Sequence, residues 1–199
     1  MDEEDAYVRR DTIIFSGSAV PPVVNGEICA NIVTDLAKDK LRMQIRDGDI
    51  STAHRLGKKP TTQGPDKRSI IVKLCRRDLK TEILQAKKNL VSTRNSTLYI
   101  NESLTPRRST ILYTLRRIKR THPSVVVGCS SFDGRVYAYT KPAPTRSSAQ
   151  TQDGESATAD SNQRPRNVRH LINTHDSLVN FCRKYVKQPL DNFLESWSH

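Results

Sequence analysis

The sequence predicts an α+β fold in two parts, and three observations carry that expectation. Strand-like and helix-like patterns follow one another as β-α-β-β-α-β over residues 12–102, behind an N-terminal tail of residues 1–11. A second series, of helix, hairpin, strand and helix, occupies residues 103–199 and reads as a small α/β domain. Residues 141–166 interrupt that second series with a Pro/Ser/Thr/Gln/Ala-rich stretch that has no periodicity, and a disordered insertion is expected there.

The elements follow in order. Thr12-Ile13-Ile14-Phe15-Ser16-Gly17 is a β-branched run stopped by Gly17 and then Pro21-Pro22, the pattern of a buried strand. Asn25 can cap the next helix, on which Ile28, Ile32, Val33 and Leu36 share one face. Ile50 to Arg55 reads as a second strand, Lys58 to Lys67 as a polar loop, and Ser69 to Leu74 as a third strand. Asp78 can cap a helix that turns Leu79, Ile83, Ala86 and Leu90 inward, and Leu98-Tyr99-Ile100 supplies the fourth strand. This order is the split βαβ, or ferredoxin-like, sandwich: two helices cover one face of a four-stranded sheet and the other face stays open.

In the second part, Thr105-Pro106 is a helix start with proline at the first helical position. Ile111, Leu112, Leu115 and Ile118 fall on one face of that helix, while Tyr113, Arg116, Arg117 and Arg120 fall on the opposite face. Packing accounts for the first group and gives no reason for the second. Val125 to Tyr139 reads as a hairpin turning at Asp133-Gly134. Val168 to Ile172 is a strand candidate beside it, and Thr174 caps a helix carrying Leu178, Phe181, Cys182 and Tyr185. A last amphipathic turn aligns Leu190, Phe193, Leu194 and Trp197, a spacing that suits core packing.

Charge narrows the function. The 199 residues hold 33 Lys and Arg against 21 Asp and Glu, a net charge of +12. Between Ala53 and Arg120 there are 18 basic residues and four acids, a local excess of 14 that exceeds the net charge of the whole chain. Such a block is the electrostatic footprint of a phosphate-binding surface. A solvated basic face is the plainer alternative, and an anionic membrane surface is disfavoured because the basic helices lack a large lipid-facing aromatic side. No run of 18 apolar residues is present, and the acidic start Met1-Asp2-Glu3-Glu4-Asp5 is unlike an export signal, so a soluble intracellular protein is expected. Cys29, Cys75, Cys129 and Cys182 match no CxxC spacing and are expected as buried or half-buried thiols.

Catalytic motifs are not evident. Asp47 and Asp49 flank Gly48 where a turn is expected, with no third carboxylate placed to complete a metal site. His54, His122, His170 and His175 belong to different elements, and no phosphate-cradling loop or nucleophile elbow occurs. No cofactor is called for. An open sheet is the platform on which RNA-recognition modules stack bases, yet here the third strand offers Ile71 and Lys73, and Phe15 is the aromatic of the first. Tyr113, Tyr137 and Tyr139 are the better stacking candidates, and phosphate contacts should supply most of the affinity.

Three strings, Tyr7 to Gly17, Ala53-His54-Arg55-Leu56-Gly57 and Arg68 to Leu74, occur in an order and spacing that resembles the first-open-reading-frame protein of LINE-type (non-LTR) retrotransposons. The resemblance extends through Leu98 to Asn101, Arg107-Arg108, the basic helix and the Asp133-Gly134 hairpin to the final helix. It implies an RRM-like domain and a C-terminal domain that together clamp single-stranded nucleic acid. Such proteins package the element's RNA, in cytoplasmic or nuclear ribonucleoprotein particles, and act as nucleic-acid chaperones without catalysis. By position it assigns Arg107 and Arg108 an RNA-contact role. Family members carry a trimerising coiled coil before the RRM-like domain. Here Met1–Val8 precede the matching region, which would be the end of such a segment, so a homo-oligomer is expected only if the full protein has it. The Phe-Pro-Ala type segment of the family is replaced by Val125-Val126-Val127-Gly128.

The expected function is non-enzymatic binding of single-stranded RNA, with single-stranded DNA left open. One side of the site would be Arg55, Lys58, Lys59, Lys73, Arg76 and Arg77. The other would be Arg107, Arg108, Tyr113, Arg116, Arg117 and Arg120, with Arg135 and Tyr137 on the hairpin. Two alternatives remain: an adaptor docking through Leu190 to Trp197, and an enzyme of the element using Asp47.

Overall fold

The computed structural model describes residues 2–46, 48–59, 61, 64–91, 97–142 and 166–193. The chain divides into two compact units, Met1–Thr105 and Pro106–His199, and each combines helices with one antiparallel sheet. Among the described residues no helix is long and apolar enough to cross a membrane.

The first unit contains helix α1 (Asp2–Arg9), strand β1 (Thr12–Ser16), helix α2 (Cys29–Leu36), strands β2 (Ile50–Arg55) and β3 (Ile70–Leu74), helix α3 (Arg77–Val91) and strand β4 (Tyr99–Glu102). The sheet order is β2-β3-β1-β4, with every neighbouring pair antiparallel. Alternation along the strands sorts the side chains. Ile13, Phe15, Ile70, Val72, Leu74 and Ile100 point to one face, where they pack with Val33, Leu36, Leu79 and Ile83 of the two helices. Fully burying residues of this kind contributes about 1.5–3 kcal/mol each, so this layer is the main source of the unit's stability. The other face carries Thr12, Ile14, Thr52, His54, Ile71, Lys73, Tyr99 and Asn101.

The N-terminal tail, expected as the end of a possible coiled coil, holds helix α1 with Ala6 buried. Three expectations need correction. Asn25 does not cap α2: residues 25–26 form a turn with Gly26 at φ 77°, and the helix begins at Cys29 after Ile28, which has no side-chain cap and is exposed. Glu27 ties this turn instead: its carboxylate accepts from the Val24 backbone N–H at 3.3 Å and from Arg55, at the end of β2, at 2.7 and 2.8 Å, while Arg55 also donates to the Arg68 carbonyl at 2.8 Å. Asp78 lies within the first turn of α3 and pairs with Arg76 at 3.3 Å. Cys75 is exposed just beyond the end of β3, while Cys29 and Cys182 are buried and Cys129 is half-buried.

The second unit contains helix α4 (Pro106–Thr121), strands β5 (Val126–Phe132), β6 (Arg135–Thr140) and β7 (Val168–Leu171), and helix α5 (His175–Phe181). The sheet order is β5-β6-β7. Asp133 and Gly134 both take positive φ, 52° and 74°, as a two-residue hairpin turn requires. Thr174 caps α5 in a reciprocal capping box with Ser177. The chain ends its described part in a short 3-10 turn, Leu190–Phe193, with Leu190 and Phe193 buried. The expected insertion lies outside the described residues except at its ends, as do Leu194 and Trp197.

The Glu27–Arg55 pair gives a test. The hydrogen bond from Arg55 lowers the Glu27 carboxyl from 4.5 to about 2, against the opposing effect of burial. A carboxylate with a depressed pKa stabilises the fold above its unfolded value and loses that contribution as pH falls through the folded one. Glu27→Gln should therefore cost about 2 kcal/mol at pH 7 in urea unfolding followed by circular dichroism. The gap between native and variant chains should close between pH 4.5 and about 2.

Candidate nucleic-acid interface

The second unit presents a sheet face that is aromatic and basic. Along β6, Val136, Ala138 and Thr140 are buried on the side covered by α4, so Arg135, Tyr137 and Tyr139 alternate onto the opposite side. Register puts Tyr137 between Ser130 and Leu171, and Tyr139 between Gly128 and Arg169. The Tyr139 hydroxyl hydrogen-bonds the Ser130 hydroxyl at 3.0 Å, which orients the ring. The Arg169 guanidinium lies 4.9 Å from the Tyr137 ring centre, a cation–π distance. Gly128 leaves the flank of the Tyr139 ring bare; a Cβ there would sit 3.4 Å from it. The rings of Tyr137 and Tyr139 are thus held in place and remain half-exposed. Phe132 is exposed where β5 enters the turn.

Helix α4 covers the other side of this sheet. Ile111, Leu112, Leu115 and Ile118 are buried, while Tyr113, Arg116 and Arg120 are exposed and Arg117 is half-buried. Tyr113 and Tyr137 therefore do not share a face: the helix and the sheet separate them. The first turn, Pro106-Arg107-Arg108-Ser109, holds two arginines and no acid, against the preference of the helix dipole for anions at that end. Arg107 is exposed. Arg108 is 2% exposed and donates to the Gly134 carbonyl at 3.0 Å. Its guanidinium belongs to the interior, because it satisfies the hairpin turn from beneath.

In the first unit, Lys73 is exposed on the open sheet face, and Lys58 and Lys59 are exposed in the loop after β2. Arg55 is committed to Glu27 and is not part of any open surface. Arg76 pairs with Asp49 at 3.1 Å and with Asp78, and Arg77 opens α3. Phe15 is fully buried on the helix side. Tyr99, 57% exposed, is the aromatic that the open face carries among the described residues. Sequence reasoning passed over Tyr99 and Arg169. Pairing register was the signal for both: Tyr99 is opposite Ser16, and Arg169 is opposite Tyr139.

Burial pushes the Cys29, Cys129 and Cys182 thiols up, Cys182 to about 11, which keeps them protonated and unreactive. Asp49 accepts from the Arg46 backbone N–H, and that bond, with the nearby Arg76, holds its carboxyl below the usual range. It is thereby a structural residue. Asp47 lies outside the described residues. His170 packs against Phe181 and Tyr185, and burial, with Lys184 nearby, lowers its pKa. Compared with known proteins, the chain matches no family model and no curated sequence.

The adjacent arginines should behave differently. Arg108→Ala should cost about 2–3 kcal/mol of stability, seen as a lowered thermal midpoint, because it leaves a buried turn carbonyl without that donor. Arg107→Ala should leave the midpoint unchanged or slightly raised, since it removes a cation from a helix N-terminus.

Proposed function

We propose that this chain is a non-enzymatic binder of single-stranded nucleic acid, with RNA as its ligand. The observation that carries the reading is the second unit's open sheet face, where Tyr137 and Tyr139 stand with Arg135 and Arg169. Held aromatic rings beside guanidinium groups suit exposed bases linked by phosphates, and stacking contributes about 1–3 kcal/mol per base without demanding a sequence. Duplexes keep their bases stacked inside and gain little from such a face.

The first unit is proposed to be ferredoxin-like and RRM-like. The order β2-β3-β1-β4, with α2 and α3 on one side, supports this. Its open face, lined by Lys73 and poor in aromatics, would contact phosphate more than base. The resemblance to the LINE-type first-open-reading-frame protein supports a role in packaging an element's RNA and in strand annealing and exchange. The adaptor alternative loses part of its basis, because Leu190 and Phe193 are already buried, with Phe193 edge-on to His122 at 5.7 Å.

Fluorescence anisotropy with a labelled single-stranded RNA of about 25 nucleotides, at three salt concentrations and beside an equal duplex, tests the reading. The single strand should bind more tightly, with affinity falling by about 0.7 log units per phosphate contact per decade of salt. Replacing Arg135 and Arg169 together by alanine, both exposed beside the tyrosines, should reduce that slope by roughly 1.4. Tyr137→Ala should weaken binding about tenfold and leave the slope unchanged. Binding that ignores salt, or equal affinity for the duplex, would overturn the proposal.

A further inference from the structure

The second unit holds an open groove of about 640 Å³ along helix α5. That helix, with the π-type turn Cys182–Val186 that continues it, buries Leu178, Phe181, Cys182 and Val186. His175, Val179, Arg183 and Lys187 recur at every fourth residue and line the groove instead. Lys187 takes φ 57°, and its N–H donates to the Cys182 carbonyl at 2.8 Å, which stops the helical stretch. Pro189, Leu190 and Asp191, just past that stop, supply the facing wall.

The groove is apolar in its floor and cationic at its rim. Leu190 is buried and Val179 half-buried, whereas Arg183 and Lys187 are exposed. Elsewhere in the chain Arg55, Arg76 and Lys80 are held by carboxylates. Among the described residues, neither Arg183 nor Lys187 has such a partner, and Asp191 pairs with neither.

Each feature narrows the occupant. Two cations four residues apart, about 6 Å along a helix, call for two carboxylates at a similar spacing. The floor calls for apolar side chains beside them, which a small anion lacks. A nucleic-acid strand suits the groove poorly. Its described lining has no aromatic ring on which a base could stack, and a strand charged at every unit cannot avoid Asp191. An amphipathic helix can place an apolar residue or an amide there. The groove is also open, which favours a segment of chain over an enclosed small molecule.

We propose that this groove docks an acidic amphipathic helix of a partner protein. Its apolar side chains lie over Val179, Pro189 and Leu190, and its carboxylates pair with Arg183 and Lys187. Leu190 here forms part of a receiving floor and is not an anchor reaching outward. Helix α5 packs through Phe181 and Tyr185 against His170, whose neighbours Arg169 and Leu171 alternate onto the sheet face of Tyr137 and Tyr139. Groove and tyrosine face therefore lie on opposite sides of the sheet, and both can be occupied at once. The docking does not depend on what the tyrosine face binds.

The probe is a fluorescein-labelled peptide of about 12 residues, glutamate with leucine at every third or fourth position, titrated into the full chain by anisotropy. Saturable binding is expected with Kd of about 10–100 µM. The same residues in scrambled order should bind about tenfold more weakly, because they present no apolar face. Arg183→Glu with Lys187→Glu should weaken binding at least about tenfold, and should recover it with a lysine–leucine peptide of the same pattern. Val179→Thr, which keeps the shape, should weaken it about fivefold. An unchanged thermal midpoint in the double variant shows that the loss is one of contact. Equal binding of the scrambled peptide overturns the proposal, as does no saturation by about 1 mM. Displacement of the peptide by a single-stranded RNA of about 25 nucleotides would make the groove a nucleic-acid surface. A sedimentation mass that rises with chain concentration and falls in the double variant would give the groove to a second copy. Either result overturns the proposal.

Discussion

Hydrogen bonding along both edges of β1 constrains everything else in the first unit. The strand pairs with β3 from Thr12↔Lys73 to Phe15↔Ile70 and with β4 from Ile13↔Glu102 to Ser16↔Tyr99. A slip of one residue on either side would turn Ile13 and Phe15 out of the core, so register is fixed by burial as much as by the ladder. The connections β1-α2-β2 and β3-α3-β4 each join parallel strands, and the right-handedness of such crossovers puts both helices on the same side of the sheet. The face left over is uncovered except where α1 borders it, and it sets hydroxyls, an amide, a lysine, a histidine and a tyrosine beside Ile14 and Ile71.

The basic block divides between interior and surface. Lys80 pairs with Glu102 at 2.7 Å with both side chains at least 95% buried, and it also donates to the Arg10 carbonyl. Arg55 holds Glu27, and Arg108 holds the hairpin turn. A charge at such depth needs a partner, and losing one would leave the other uncompensated. These three cations stabilise the fold. Lys58, Lys59, Lys73, Arg107, Arg116 and Arg120 remain exposed. Counting charge along the chain therefore overstates the surface it makes.

What was legible in the sequence was what depends on neighbours in the chain. The limits of β2 from Ile50 to Arg55, the Asp133-Gly134 turn and the Thr174 cap all follow from short-range pattern and propensity, and all three are present. The buried face of α4 was also readable, since Ile111, Leu112, Leu115 and Ile118 repeat at helical spacing. What failed was long-range. The turn before α2 is tied by Arg55, far off in sequence, through Glu27, and no local signal marks Asn25 as a capping residue that will not cap. In the site, alternation along β6 gave Arg135 and Tyr137, whereas Arg169 and Tyr99 emerge only once strands are paired. Arg107 and Arg108 look alike in the sequence. The rotation of about 100° between neighbours on a helix sends the first to solvent and the second inward.

That inward arginine has a mechanical consequence. Hairpin tips sway on the nanosecond-to-microsecond timescale when nothing holds them. Here a guanidinium from α4 grips the Gly134 carbonyl, and β6, which carries Tyr137 and Tyr139, runs straight out of the clamped turn. The aromatic surface is therefore stiff before any strand arrives, and the ordering entropy that a pliable loop would lose on association has already been lost in folding. A stiff surface of this kind does not mould itself to its ligand. Under the proposed function it would sort strands by how readily their own bases leave one another, making local flexibility of the nucleic acid, rather than its letters, the property that is read.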